Sequence, residues 1–145
     1  MVGQGELAPD FEAPQQDGKP LKLSSYRGHP LILYFYPQAD TPGCTVESKS
    51  FRDIYPQLQA KGVAVVGVST DDVADQKAFC TKYNLPFPLV ADSTKKVATS
   101  YGVLRPSGRA NRVTFYLDAH GKVLDVVAAG SPDPHLAKAK ALFLN

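Results

Sequence analysis

The feature that most restricts the fold of this chain is the run Leu31 to Tyr36, in which all six side chains are apolar or aromatic. A strand with one face in water alternates apolar and polar residues, so an unbroken run predicts a strand that is covered on both faces. Pro37 ends the run because proline has no backbone N–H for a strand ladder. The run Val63 to Val68 has the same character, and a helical pattern follows each run. The sequence therefore predicts an α/β protein with a central sheet between helices.

The other predicted elements alternate between helix and strand before a hairpin and a helix end the chain. The first is an N-terminal hairpin within residues 11–23 that stays outside the core, and a helix from Thr41–Cys44 towards Gly62 follows the middle strand, with a kink or break at Pro56. The next helix covers Asp72–Tyr83 and is capped by Ser69, Thr70 or Asp71. The remaining elements are a strand over Phe87–Ala91, a helix over Lys95–Tyr101, a hairpin of Arg112–Asp118 with Lys122–Ala128, and a helix over Pro134–Leu144. We expect a mixed, mostly parallel sheet with one antiparallel edge. No linker or repeat divides the sequence, so residues 1–145 are expected to form one domain.

Composition and charge exclude several classes of protein. A net charge of +2 is too small to indicate a nucleic-acid partner. The longest apolar runs are far shorter than the ~20 residues of a membrane-spanning helix, so no membrane partner is expected. The segment Met1–Leu7 has neither the basic head nor the apolar stretch of a signal peptide. A cytoplasmic, reducing environment is therefore expected.

The chain has two cysteines, Cys44 and Cys80, which are 36 residues apart. This separation fits neither a zinc-ligand pair nor a C-x-x-C redox loop. In a reducing compartment, two such thiols are either inert core residues or reactive groups. The three histidines lack a metal-ligand spacing and are predicted to be loop or surface residues without a role: His29, His120 and His135.

Cys44 follows the central strand at the start of the predicted helix, where open α/β sheets place their ligand sites. Unpaired amides and the positive end of the helix dipole favour a thiolate over a thiol at this position. Thr41 lies three residues earlier, so its hydroxyl is expected on the same side as the sulfur, and Pro37 is expected to shield the pocket from water. In the alternative interpretation, Cys44 is a small apolar residue that fills the helix start and Thr41 is an ordinary cap.

The segment from Tyr34 to Glu47, YFYPQADTPGCTVE, resembles the active-site segment of the peroxiredoxins, specifically the peroxiredoxin Q or bacterioferritin comigratory protein subfamily. The resemblance covers nearly the whole chain and continues through Phe51–Asp53, Val66–Ser69, Phe87–Leu89 with Asp92, Tyr101–Val103, Arg112–Phe115 and Asp118–Gly121. It implies a thioredoxin-like fold with the hairpin as an N-terminal extension.

The resemblance also implies the roles of the site residues. Cys44 would be the nucleophile that attacks a peroxide oxygen and becomes a sulfenic acid. Thr41, the Cys44 amide and Arg112 would bind the substrate, since the reaction needs donors for the charge on the leaving oxygen. Glu47 matches an acidic position of the family and would either orient Arg112 or favour the helix N-terminus. In the alternative interpretation, Arg112 is a strand residue on a solvated face.

A second thiol is needed to resolve the sulfenic acid. Many subfamily members carry a cysteine five residues after the first, but Lys49 occupies that position here. Cys80 matches the other arrangement of the subfamily, in which the resolving cysteine lies on the next long helix. A disulfide needs Cα atoms within ~7 Å, so the helix start at Cys44, the helix around Cys80, or both are expected to unwind locally. The alternative is that Cys80 is a buried spectator and an external thiol resolves Cys44.

The resemblance implies a thiol peroxidase that reduces hydrogen peroxide and organic hydroperoxides, is recycled by thioredoxin or a similar dithiol protein, acts as a monomer and needs no metal, haem or flavin cofactor. A thiol–disulfide oxidoreductase on the same fold is the alternative enzyme, but the C-x-x-C motif is missing. A non-enzymatic holdase is the alternative outside enzymes. Intact Pro37, Thr41, Cys44 and Arg112 argue against lost activity.

Overall fold

The computed structural model describes all 145 residues and contains seven strands and four α-helices. The strands are β1 (Glu12–Pro14), β2 (Pro20–Lys22), β3 (Leu31–Phe35), β4 (Ala64–Ser69), β5 (Leu89–Ala91), β6 (Val113–Leu117) and β7 (Val123–Ala128). The helices are α1 (Pro42–Ala60), α2 (Val73–Tyr83), α3 (Lys96–Tyr101) and α4 (Asp133–Phe143), and a 3-10 turn covers Leu23–Tyr26. Every predicted element is present within a few residues of its expected bounds.

Five strands form the central sheet in the order β5-β4-β3-β6-β7, so the apolar run after Pro30 is its middle strand. β3 pairs in parallel with β4, and β4 with β5, whereas β6 is antiparallel to both β3 and β7. The sheet is mixed as expected, but its four pairings divide evenly instead of being mostly parallel. The reason is that β6 pairs with the other edge of β3 and a tight turn connects it to β7, so only β3, β4 and β5 are joined by the helical crossovers that parallel strands need.

The two faces of the middle strand bury alternate side chains. Ile32 and Tyr34 face a core shared with α1, α2 and α4, whereas Leu33 and Phe35 face a core shared with α3. The small sheet of β1 and β2 covers this second core. The prediction that the hairpin stays outside the core was wrong, since Leu21 and Leu23 are 4% and 2% exposed. A strand only three residues long gains its stability from such packing.

Two expected helix boundaries also differ from the structure. The predicted break at Pro56 does not occur, because this residue lies on the exposed face of α1, where water can hydrate the carbonyl that loses its partner. The cap of α2 is Asp72, whose carboxylate accepts the amide of Asp75 at 2.8 Å. The three residues predicted as caps lie before it and bond elsewhere. None of the four helices combines the length and the apolar character needed to cross a membrane.

Candidate active site

Cys44 lies in the first turn of α1, directly beyond the end of the middle strand. Thr41 caps the helix in an extended conformation, and Pro42 takes the first helical position, where a missing N–H costs nothing. Cys44 is the third helical residue and is 1% exposed. Its sulfur therefore lies beside amides that have no helical partner and at the positive end of the helix dipole. Both features stabilise negative charge on the sulfur.

Arg112, immediately before β6, places its guanidinium against this sulfur. Nη2 lies 3.4 Å from Sγ of Cys44, Nη1 donates to Oε1 of Glu47 at 2.7 Å, and Nε donates to the carbonyl of Gly130 at 2.9 Å. The side chain is 8% exposed, so the alternative of a solvated strand residue is wrong. Burial lowers the pKa of Arg112, but the charges of Glu47 and Cys44 outweigh that effect and raise it. The three contacts fix a permanent cation beside the thiol.

Glu47 lies one turn after Cys44 on α1 and is fully buried. Of its two expected roles, the contact with Arg112 is the one that the structure shows. Burial raises the pKa of this carboxyl to about 7, although Arg112 opposes the rise. Desolvation is larger for Glu47 than for Arg112 because no part of the carboxylate reaches water. Its second oxygen, Oε2, has no hydrogen-bond partner.

His135, in the first turn of α4, is the residue that the sequence analysis placed incorrectly. It is fully buried instead of lying at the surface, whereas His29 and His120 are exposed as expected. Its Nδ1 lies 2.8 Å from Oγ1 of Thr114 and 3.7 Å from the unpartnered Oε2 of Glu47. The spacing of His135 with the buried residues Leu136 and Ala139 was the available signal that this residue lies on the inner face of α4.

The loop between β3 and α1 holds the remaining predicted site residues. The hydroxyl of Thr41 donates to the carbonyl of Gln38 at 2.8 Å and does not bond to the sulfur of Cys44. Pro37 is half-buried at the end of the strand. Tyr36, directly before it, is a core residue, since it is fully buried and its hydroxyl donates to Gln76 at 2.6 Å.

Two carboxylates tie this loop to its neighbours, and the sequence analysis missed both. Asp71 accepts the amide of Ala39 at 2.8 Å. Asp40 has a left-handed backbone with φ of 58° and accepts from Lys82 and Tyr83, both at 2.8 Å. Because those two residues end α2, the approach to Cys44 is linked to the helix that carries the second cysteine.

Cys80 lies in the third turn of α2 in a different environment. Its thiol donates to the carbonyl of Leu85 at 3.2 Å, and the amide of Gln16 lies 3.7 Å from its sulfur. Burial raises the pKa of this thiol, and no cation offsets the rise. Both cysteines are free and contribute to the same core, yet each sulfur contacts its own set of partners. The structure therefore pairs one thiol with a guanidinium and leaves the second thiol without a cation.

Comparison with known proteins assigns this arrangement to a family. Residues 4–126 match the AhpC/TSA family. The protein named putative peroxiredoxin bcp from Coxiella burnetii is 40% identical over 141 residues, which cover 92% of this chain and 93% of that protein.

Solved structures agree with the sequence match. Peroxidoxin BcpB from Mycobacterium tuberculosis superposes with a TM-score of 0.92 at 39% identity, over 97% of this chain and 96% of that one. The Xanthomonas campestris bacterioferritin comigratory protein, solved to study its alkyl peroxide reduction activity, gives 0.83 at 30% identity over 97% and 99% of the two chains. Xanthomonas campestris peroxiredoxin Q has been solved with serine in place of either of two cysteines, which are 36 residues apart. The predicted thioredoxin-like fold is confirmed by these superpositions.

Proposed function

This chain belongs to the AhpC/TSA family, in its peroxiredoxin Q and bacterioferritin comigratory protein branch, and on that premise we propose that the thiolate of Cys44 reduces hydrogen peroxide and organic hydroperoxides. The observation that carries the proposal is the 3.4 Å contact between Nη2 of Arg112 and Sγ of Cys44 at a helix N-terminus. A guanidinium that is also bonded to Glu47 and Gly130 cannot turn away, so it stabilises the thiolate continuously. This is the arrangement that a sulfur nucleophile requires.

The proposed reaction begins with attack of the Cys44 thiolate on one peroxide oxygen. An S–O bond forms while the O–O bond breaks, and the leaving oxygen takes a proton to become water or an alcohol. Arg112, the Cys44 amide and the hydroxyl of Thr41 bind the peroxide, for which Thr41 exchanges its bond to Gln38 for one to the substrate. Pro37 limits access of water to the sulfur. Glu47 holds Arg112 in place.

Cys80 is the proposed resolving cysteine. Its thiolate attacks the sulfenic sulfur of Cys44, an S–S bond forms, and the hydroxyl leaves as water after protonation. The 36-residue separation equals that of the two substituted cysteines in Xanthomonas campestris peroxiredoxin Q. Since each sulfur here bonds to its own partners, the reaction requires the first turn of α1, the end of α2, or both to unwind.

The disulfide is then reduced by thioredoxin or a similar dithiol protein, which completes the cycle without a metal, haem or flavin. The proposed enzyme works as a monomer in the cytoplasm, where reductants return both cysteines to thiols. Gel filtration of the reduced and the oxidised protein tests the monomer. Cell fractionation tests the compartment.

Peroxide consumption in the presence of thioredoxin, its reductase and NADPH tests the cycle. Cys44→Ser should abolish consumption. Cys80→Ser should consume one equivalent of peroxide and then stall, which makes it the matched control for the loss of a thiol. In the unchanged protein, one equivalent of peroxide should remove both free thiols without forming a dimer. Equal consumption by Cys44→Ser would refute the nucleophile, and continued turnover by Cys80→Ser would refute internal resolution in favour of an external thiol.

A further inference from the structure

The hydrogen bonds of His135 determine which of its ring nitrogens carries a proton. Nε2 lies 2.8 Å from the carbonyl of Ala129, and a carbonyl can only accept, so Nε2 carries the hydrogen. In the neutral ring, Nδ1 is then an acceptor, and the hydroxyl of Thr114 at 2.8 Å donates to it. The lone-pair side of this fully buried ring lies 3.7 Å from Oε2 of Glu47.

Glu47 presents the complementary feature. Its Oε1 is bonded to Arg112, whereas its fully buried Oε2 has no partner. When Glu47 is ionised and His135 is neutral, two acceptors face each other without a hydrogen between them. A buried polar group without a partner is costly, and one added proton removes this cost by giving an Oε2–H that can take the place of the Thr114 hydroxyl as the donor to Nδ1. Glu47 and His135 can therefore bind one proton between them.

The charges around Arg112 indicate when the Glu47–His135 pair binds this proton. Arg112 contributes one positive charge, and it contacts two groups that can each become an anion, Cys44 and Glu47. If both are ionised, the buried cluster carries a net negative charge. If the thiol ionises while a proton binds to the Glu47–His135 pair, the cluster stays neutral. Burial favours the neutral arrangement.

We propose that Glu47 and His135 together form a buried proton site whose occupancy is coupled to ionisation of Cys44, with His135 as the positioning residue that stabilises the protonated carboxyl. As the thiol of Cys44 loses its proton, the pair binds one from solvent, so the total number of protons on the cluster does not change. The inference rests on the proposed function in one respect, namely that the Cys44 thiolate is the working nucleophile. No contact between His135 and the peroxide is implied.

The other ionisable groups packed against the cluster do not compete for this proton. They are Tyr34 in β3, Tyr36 directly after it, and Tyr116 in β6. Asp125 of β7, whose charge acts on Tyr116, pairs with Lys138 of α4 at 2.8 Å. Burial raises the pKa of each of the three tyrosines, so they are neutral at neutral pH. The bond from Lys138 lowers the pKa of Asp125, which stays ionised. The pKa of Glu47, about 7, lies in the range where the proposed exchange would occur.

The pH profile of Cys44 alkylation by iodoacetamide tests the coupling without requiring turnover. The assay is made in a Cys80→Ser background, so that Cys44 is the single thiol. His135→Leu removes the acceptor for the carboxyl proton and should move the pH midpoint of alkylation upward by about one unit. At pH 6 the alkylation rate would then fall about tenfold, and at high pH the two rates should converge. His120→Leu, which changes an exposed histidine, should leave the profile unchanged.

A combination with Glu47→Gln separates coupling from a structural role. The glutamine amide neither gains nor loses a proton in this pH range. Adding His135→Leu to Glu47→Gln should therefore move the pH midpoint of Cys44 alkylation no further. An equal shift in both backgrounds, or an equal loss of rate at every pH, would show that His135 acts only through structure and would refute the proposal.

A second measurement uses the chain with His135 in place, in case the leucine variant fails to fold. Alkylation of Cys44 removes the negative charge of the sulfur, so at pH 7 Glu47 should release its proton and pair with Arg112 as a carboxylate. Infrared difference spectra should show loss of the C=O stretch of a buried carboxylic acid, and Glu47→Gln should lack this signal. An unchanged carboxyl band would overturn the proposal. If His135→Leu shifts the alkylation midpoint as expected but the protein consumes no peroxide, the proposed function is refuted and the proton site is not.

Discussion

Replacing Glu47 with glutamine should change how the stability of this protein depends on pH. Burial raises the carboxyl's pKa from 4.5 to about 7 in the folded state, so between these values the folded state binds more protons than the unfolded state. The contribution of Glu47 to the free energy of unfolding of the wild-type protein is therefore largest below about pH 4.5, and it is lost as the pH rises through about 7. The rise in pKa corresponds to about 3 kcal/mol. Glutamine has nearly the same shape as glutamate and no ionisable proton, so the substitution removes this dependence.

Urea unfolding under reducing conditions measures the effect. The free energy of unfolding of Glu47→Gln minus that of the wild type should increase by about 3 kcal/mol between pH 4.5 and about pH 8.5. The comparison cancels most contributions from other groups because both proteins contain them. Glu12→Gln, which changes an exposed carboxylate of β1, is the matched control and should give a difference that does not vary with pH.

The sign of the change decides between two physical effects. If the difference decreases with pH, attraction to Arg112 outweighs the cost of burying the carboxylate, and the reasoning from desolvation is wrong. A difference that is constant with pH would show that Glu47 has the same proton affinity in the folded and the unfolded state. Either result would also remove one support of the proposed proton site.

Two other substitutions test how the site is held together. A Cβ at Gly43 would lie 2.9 Å from Nη2 of Arg112, so Gly43→Ala should displace the guanidinium and slow peroxide reduction about tenfold. Unchanged stopped-flow kinetics would contradict the displacement. Lys82→Ala removes one of the two side chains that hold Asp40, and should accelerate disulfide formation after one equivalent of peroxide, as followed by acid-quenched non-reducing electrophoresis. A slower reaction would show that this contact assists unwinding instead of opposing it.

Local signals in the sequence were enough to predict the central strand and the position of Cys44, the proposed nucleophile, at the start of a helix. The unbroken apolar run at Leu31–Tyr36 has no polar face to offer to water, so it could only become a strand covered on both sides, and it is the middle strand. The position of Cys44 in the first turn of a helix follows in the same way, because a strand end, a proline and a helical pattern succeed one another within a few residues. The resemblance to the peroxiredoxins begins in the same segment and continues along nearly the whole chain, and the family comparison confirmed it.

The identity of the distant groups that meet at the sulfur depends on how the elements pack. Arg112 lies immediately before β6, Glu47 in α1 and His135 in α4, and no spacing along the chain fixes the distances between them. The surface prediction for His135 was wrong because it considered only metal-ligand spacing. Helical spacing indicates that His135 lies on the inner face of α4, but it cannot show which groups lie opposite. Here the opposite groups are a carbonyl, a hydroxyl and a carboxylate. A polar side chain can be buried only where partners from other elements satisfy it, and those partners are set by the three-dimensional arrangement of the chain.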